Sequence, residues 1–208
     1  MNAHAHLLSR QAHRPQPELT VLDGVTLPLA RAHEICGNAR HMLALMVASK
    51  LSGPVFWITP NWQAETLNPE GMLPLTGPER FTFITVRRTE DLLWTMEETL
   101  RSGAVPLVVA ELTELPSMTA IRRLHLAAET GAKERRCAPL GLLLTPGNGG
   151  APGIETRWHM TQAHGLDGLR WTLSRRRART SPPQSWSLSG RPDDWTLEPV
   201  HQTALASG

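Results

Sequence analysis

Four short apolar runs, separated by segments of helical periodicity, constrain this 208-residue chain more than any other feature. Val55-Phe56-Trp57-Ile58, Phe81 to Val86, Val105 to Ala110 and Leu140 to Leu144 are nearly continuous in apolar or β-branched residues. Such runs suit strands covered on both faces, as in a parallel sheet. A shorter extended stretch, Arg31 to Cys36, precedes them and ends at Gly37. Ala39 to Leu51 is apolar almost all round, the pattern of a buried helix, and Gly53-Pro54 stops it. Thr89 is placed to cap a second helix, with Glu90 and Asp91 in the first turn where the dipole favours anions. Leu92, Leu93, Met96 and Leu100 share one face of it, and Gly103 can end it in a left-handed conformation. Pro116-Ser117 opens a third helix, with Ile121, Leu124 and Ala128 at helical spacing. Strands alternating with helices predict an α/β fold whose parallel sheet is flanked by helices and joined by right-handed crossovers.

After Pro146 the texture changes. Gly147 to Gly153 reads as a loop, and Thr156 to Met160, Leu169 to Ser174 and Ser185 to Leu188 as short strands with no helix between them. Short connections predict antiparallel pairing at one edge of the parallel sheet. The expected organisation is a flexible N-terminal tail over 1–24, one domain over 25–189 and a flexible C-terminal tail over 190–208. In that tail, Trp195 sits in Asp193-Asp194-Trp195-Thr196-Leu197-Glu198, an aromatic anchor with flanking acids. It reads either as a docking peptide for a partner or as a segment that folds back on its own chain.

Composition narrows the class. No apolar run reaches the roughly 18 residues needed to span a membrane, and the N-terminal stretch lacks the apolar core of a signal peptide, so a cytoplasmic protein is expected. The two cysteines, Cys36 and Cys137, form neither a disulfide framework nor a zinc spacing, and read as buried thiols. His4, His6 and His13 have no acid or cysteine nearby to complete a metal site. No metal and no cofactor is therefore expected. The net charge of +2 hides a basic concentration: from Arg157 to Arg191 there are seven arginines and one acid, Asp167. Arg175, Arg176, Arg177 and Arg179 form its centre, as contacts to a nucleic-acid backbone, to an acidic partner, or as a solvated basic turn. Trp158, Trp171 and Trp186, at alternating positions in the same region, read first as core packing.

In an open parallel sheet, ligands bind at the carboxyl ends of the strands. A phosphate-gripping turn there needs glycines, a lysine and a hydroxyl, spaced G-x-x-x-x-G-K-S/T. The sequence after the first extended stretch of the alternating core is Cys36-Gly37-Asn38-Ala39-Arg40-His41-Met42-Leu43, with one glycine, no lysine and no hydroxyl. Glu111 stands at the end of the Val105 strand, where a metal-positioning acid would sit, but one carboxylate without a phosphate loop makes no catalytic site.

The order Arg31-Ala32-His33-Glu34-Ile35-Cys36-Gly37, a buried helix, then Gly53-Pro54-Val55-Phe56-Trp57-Ile58 resembles the start of a RecA-type core. Arg101-Ser102-Gly103-Ala104-Val105, leading into Leu107-Val108-Val109-Ala110-Glu111, is similar to its second signature strand. Leu29 to Ile35, Asp91 to Gly103, Arg122 to Glu129, Thr156-Arg157-Trp158 and Gly168 to Trp171 resemble the ImuA family more closely still. This likeness spans roughly Leu27 to Leu188. It implies a RecA-like domain and an accessory role in SOS-induced, error-prone translesion DNA synthesis. The partners it implies are an inactive Y-family polymerase homologue, an error-prone replicative-type polymerase and RecA, with DNA contact left open. Against the RecA-type core itself, the phosphate loop lacks its lysine and hydroxyl and the catalytic glutamate falls near Asn61, so the resemblance implies a degenerate nucleotide site around Gly37, Arg40, Asn61 and Glu111. Catalysis is therefore not expected. An SOS cell-division inhibitor of the SulA type, acting on the tubulin-like division protein, is the alternative, and Trp57-Ile58-Thr59-Pro60 would suit it.

Overall fold

The computed structural model describes residues 17–63, 67–134, 137–166 and 168–200. An N-terminal hairpin pairs β1 (Glu18–Leu22) with β2 (Val25–Pro28). The alternating region follows: β3 (Ala32–Cys36), α1 (Arg40–Ser49), β4 (Val55–Pro60), the short α2 (Pro69–Met72), β5 (Phe81–Val86), α3 (Thr89–Ser102), β6 (Leu107–Glu111), α4 (Met118–Glu134) and β7 (Leu140–Leu144). Four further strands complete the described residues: β8 (Thr156–Gln162), β9 (Arg170–Ala178), β10 (Gln184–Arg191) and β11 (Asp194–Pro199).

The four apolar runs become β4, β5, β6 and β7, and with β3 and β8 they form the parallel part of a nine-stranded mixed sheet. The order across the sheet is β11-β10-β9-β8-β3-β7-β6-β4-β5. Counted from β3, the parallel strands run 3-2-4-5-1-6, which is neither the 3-2-1-4-5-6 order of the dinucleotide-binding fold nor the 2-1-3-4-5 order of flavodoxin-like proteins. β8, β9, β10 and β11 are joined by antiparallel pairs.

Helices cover the sheet on two sides. α1 packs with the β1–β2 hairpin over one face, where Ile35, Trp57, Val109, Leu142, Trp158 and Trp186 meet in one cluster. α3 and α4 cover the other face over Ile58, Val108, Ala110 and Leu143. Local signals explain the helix ends. The Ser117 hydroxyl accepts from the Ala120 amide (3.2 Å) at the start of α4, and Gly103 ends α3 at φ 60°. Thr89 does not cap α3. It is the first helical residue, and the Arg88 guanidinium grips the Asp91 carboxylate (2.8 and 3.0 Å) instead.

Three expectations are corrected. The expected tail over 1–24 contains β1, because Asp23-Gly24 turns Leu19-Thr20-Val21-Leu22 back onto Val25-Thr26-Leu27 and buries Val21, Val25 and Leu27 on the core. Each such burial stabilises by about 1.5–3 kcal/mol. The expected tail over 190–208 is strand through Pro199, since β10 runs to Arg191 and β11 pairs back along it. Cys36 is buried, but Cys137 is half-exposed. His4, His6, His13 and Asp167 lie outside the described residues.

β3 carries two buried polar side chains. His33 on one face contacts the Pro28 carbonyl through Nε2 (2.9 Å) and the Thr156 hydroxyl through Nδ1 (2.8 Å). A carbonyl only accepts, so Nε2 carries the proton and Nδ1 accepts from Thr156, whose oxygen accepts in turn from Trp158 Nε1 (3.0 Å). Burial pushes the imidazole pKa down from 6.5 to about 3, assisted by the charges of His125 and Arg31 and opposed by the Pro28 bond. Between those values the unfolded chain binds the proton and the folded chain does not. Stability therefore falls as pH drops from 6.5 towards 3, by about 1.4 kcal/mol per unit from this residue. Denaturant melts across that window should show the decline, and His33→Gln should flatten it.

Candidate functional site

The carboxyl ends of the parallel strands bring together the positions that sequence reasoning marked separately. Adjacent strands β4 and β6 continue in opposite directions, β4 outward to β5 and β6 inward to β7. A crevice is expected at such a switch point. Glu111, the last residue of β6, is buried there. Its carboxylate accepts from Trp57 Nε1 of β4 (2.6 Å), meets His41 Nε2 of α1 (2.9 Å) and accepts from the Gln63 amide just past β4. Burial pushes the Glu111 carboxyl up, but the bond and charge of His41 and the bonds from Trp57 and Gln63 outweigh it and hold the pKa below the ordinary carboxylate range. The His41 and Trp57 rings lie 6.1 Å apart. The Glu111 carboxylate is thus engaged by three side chains of the same chain.

The Gly37 turn lies at the end of β3, with β7 between it and β6. A phosphate nest presents backbone amides outward. Here the Gly37 amide donates to the Gly147 carbonyl (3.1 Å), the Ala39 amide to the Met160 carbonyl (3.1 Å) and the Arg40 amide back to Gly37 (3.4 Å). The Asn38 side chain accepts from the Gln162 amide (2.9 Å). Arg40 points back to the Gly37 carbonyl (3.4 Å). Asn61 is exposed beyond β4, its amide bonded to the Val86 carbonyl (2.8 Å). The turn is tied to β8 and to the loop after β7.

That loop is itself held by Glu34, the other buried polar residue of β3. Its carboxylate is fully buried and accepts from the Thr145 hydroxyl (2.7 Å), the amides of Gly150 (2.8 Å) and Ala151 (3.1 Å), and Arg157. Arg157 also donates to the Ala151 carbonyl (2.9 Å). Cys36, next on the same face, donates to the Trp158 carbonyl (3.5 Å), and burial with the nearby Glu34 charge pushes its thiol up to about 11. It is set up to stay reduced and unreactive.

The structure divides the expected arginine site. Arg175 lies over the Trp186 and Trp158 rings (5.3 and 5.8 Å) and donates to the Pro182 carbonyl (3.1 Å) and to Gly24 (3.5 Å). Burial lowers its pKa. It clamps the hairpin to the sheet and is not a free contact. Arg175→Ala should cost about 1–3 kcal/mol in denaturant melts through lost stacking and hydrogen bonds, and Arg175→Lys should not rescue it. Trp195 is likewise taken: it packs at 5.7 Å, edge-on, against Trp171, so the docking anchor folds onto its own chain. Arg176, Arg177 and Arg179 are exposed. Arg176 donates to the Asn148 carbonyl (3.2 Å) and side-chain oxygen (3.0 Å), and Arg179 lies 3.6 Å from Glu155.

Sequence reasoning missed His41, Trp57 and Gln63 as partners of Glu111, and the Glu34–Arg157 pair. Neither set carries a local signal, since the partners stand 48 to 123 positions apart. Among the described residues, no group of three His, Cys, Asp or Glu side chains is arranged to hold a metal, and no helix is long and apolar enough to cross a membrane. Compared with protein-family models and with curated proteins, the sequence matches none.

Proposed function

We propose that the chain is a non-catalytic RecA-like accessory protein of SOS-induced, error-prone translesion DNA synthesis. It acts in the cytoplasm through protein–protein contacts with an inactive Y-family polymerase homologue and an error-prone replicative-type polymerase, and RecA is a further partner. The segments that resemble the ImuA family support the placement in that assembly. The observation that carries the non-catalytic part is the engagement of Glu111 and of the amides around Gly37 within the chain. A nucleotide site needs a carboxylate free for a metal and amides free for phosphates. Glu111 is instead occupied by His41, Trp57 and Gln63, and the amides around Gly37 are spent on Gly147 and Met160.

The test is genetic and biochemical. Deleting the chain's gene should lower damage-induced mutation, and Arg40→Ala should restore it fully, because no nucleotide has to be held. Tagged protein should capture the two polymerases from damaged cells. Unchanged mutation in the deletion strain would sink the accessory role. Disassembly of filaments of the tubulin-like division protein by purified chain would turn the reading to a SulA-type inhibitor.

A further inference from the structure

The antiparallel part of the sheet is two-sided in an unusual way. Trp158, Met160, Trp171, Leu173, Trp186 and Leu188 all lie on the face that packs in the core with the β1–β2 hairpin. Alternation along the strands sends the intervening residues to the opposite face. That face is half-exposed and built in rows: Thr161 opposite Thr172 opposite Ser187, and His159 opposite Ser174 opposite Ser185. The Ser174 and Ser185 hydroxyls bond to each other (2.8 Å). A solvent face of a sheet usually mixes long side chains of both signs. β8, β9 and β10 contain no acid, and their polar residues here are mostly short hydroxyls; the carboxylates on this side begin at the edge strand β11, where Glu198 stands opposite Ser187 and Asp194 opposite Arg191.

Cations frame those rows. Arg170 is exposed at one end of β9, with its side chain on the hydroxyl side of the alternation. At the other end the β8–β9 register slips: Trp158 faces Arg175 and Arg157 faces Arg177, which leaves Arg176 as the extra residue of a bulge. A bulge re-aims a side chain, and Arg176 turns towards the Asn148 loop. Beside it a shallow hollow is lined by Ser174, Ser185, Arg175, Arg176, Gln184 and Pro183, with no carboxylate among its walls.

We propose that the face of β8, β9 and β10, inward of the β11 acids, binds the phosphate backbone of duplex DNA without reading its sequence, with Arg170 and Arg176 as the principal phosphate contacts. Arginine and Ser/Thr hydroxyls are the usual donors to phosphate oxygens. The duplex is favoured over a single strand because the tryptophans of these strands, Trp158, Trp171 and Trp186, belong to the other face, so this one offers no aromatic platform for unpaired bases. The flat face has no helix to place in the major groove, which leaves the backbone as the target. The inference is independent of the accessory-factor reading, which survives its failure.

Fluorescence anisotropy with a labelled, random-sequence duplex tests it. Binding should weaken steeply between about 50 and 200 mM salt. Arg170→Ala with Arg176→Ala should lower affinity about tenfold and make the salt slope shallower by about 2. Thr172→Glu, in the middle of the hydroxyl rows, should weaken binding as much. Arg87→Ala, beyond β5 at the far edge of the sheet, should leave it unchanged. Melting curves on each variant separate lost binding from lost folding. Undiminished binding by a normally folded double variant would overturn the proposal. So would tighter binding of a single strand of equal length, or equal displacement of the duplex by polyglutamate, which would indicate an acidic protein as the ligand.

Discussion

Replacing Glu34 with alanine is expected to destabilise the fold by about 3–5 kcal/mol and to lower its melting temperature by about 10 °C. The carboxylate is fully buried and accepts from the Thr145 hydroxyl, the Gly150 and Ala151 amides and Arg157. Removing it leaves the largely buried Arg157 guanidinium without its counter-charge and orphans the amides of Gly150 and Ala151. Breaking one side of a buried pair is worse than removing both, so Glu34→Leu combined with Arg157→Met should recover part of the loss. Recovery should stay incomplete, because the two amides still lack an acceptor. Differential scanning calorimetry on the single and double variants checks the order. Equal melting of Glu34→Ala and the unaltered protein would show that the loop after β7 does not depend on this carboxylate.

Gly37→Ala should be nearly as damaging. Gly37 has φ 93°, and a Cβ there would stand less than 3.0 Å from the Met160 carbonyl oxygen. A left-handed conformation costs a non-glycine residue about 1–3 kcal/mol, and crowding against a fixed backbone adds a similar amount. The Ala39 amide would also be pulled from Met160, to which it donates at 3.1 Å. The readout separates two explanations of this glycine. In a phosphate nest, the substitution would spare folding and abolish nucleotide affinity. Here it should lower the melting temperature and leave no nucleotide phenotype to lose.

The parallel sheet was legible because local physics carried it. Val55 to Ile58 and Leu140 to Leu144 had to be buried on both faces, and a strand between helices is the arrangement that does so. Ser117 and Gly103 marked helix ends through their own chemistry. The β1–β2 hairpin was equally available, since Asp23-Gly24 between Leu19-Thr20-Val21-Leu22 and Val25-Thr26-Leu27 is a strong short-range turn signal. It was lost to the expectation of a polar tail. The C-terminal strand is less legible: Trp195 and Leu197 fit a docking peptide and a segment that folds back equally well, and only the contact with Trp171 decides for the second. Of the candidate site, the positions Gly37, Arg40, Asn61 and Glu111 were legible, but not what fills them. Whether a lone glutamate faces solvent, a metal or a tryptophan depends on which distant side chains the fold delivers. Nothing near Glu111 in sequence announces His41, Trp57 or Gln63.

The hairpin at the start of the described chain has a consequence for how the protein is made. Its apolar side rests on the cluster that includes Trp158, Trp171 and Trp186, yet those strands emerge from the ribosome long after β1 and β2 have. Until then the cluster that Val21, Val25 and Leu27 join is incomplete. An isolated two-stranded ribbon is at best marginal in water. The core around the first segment described is therefore completed only by strands synthesised much later. Such long-range closure makes for slow folding. A ribosome stalled before β8 should carry a nascent chain that a protease trims from its N-terminal side, and protection should begin only once β10 has left the exit tunnel.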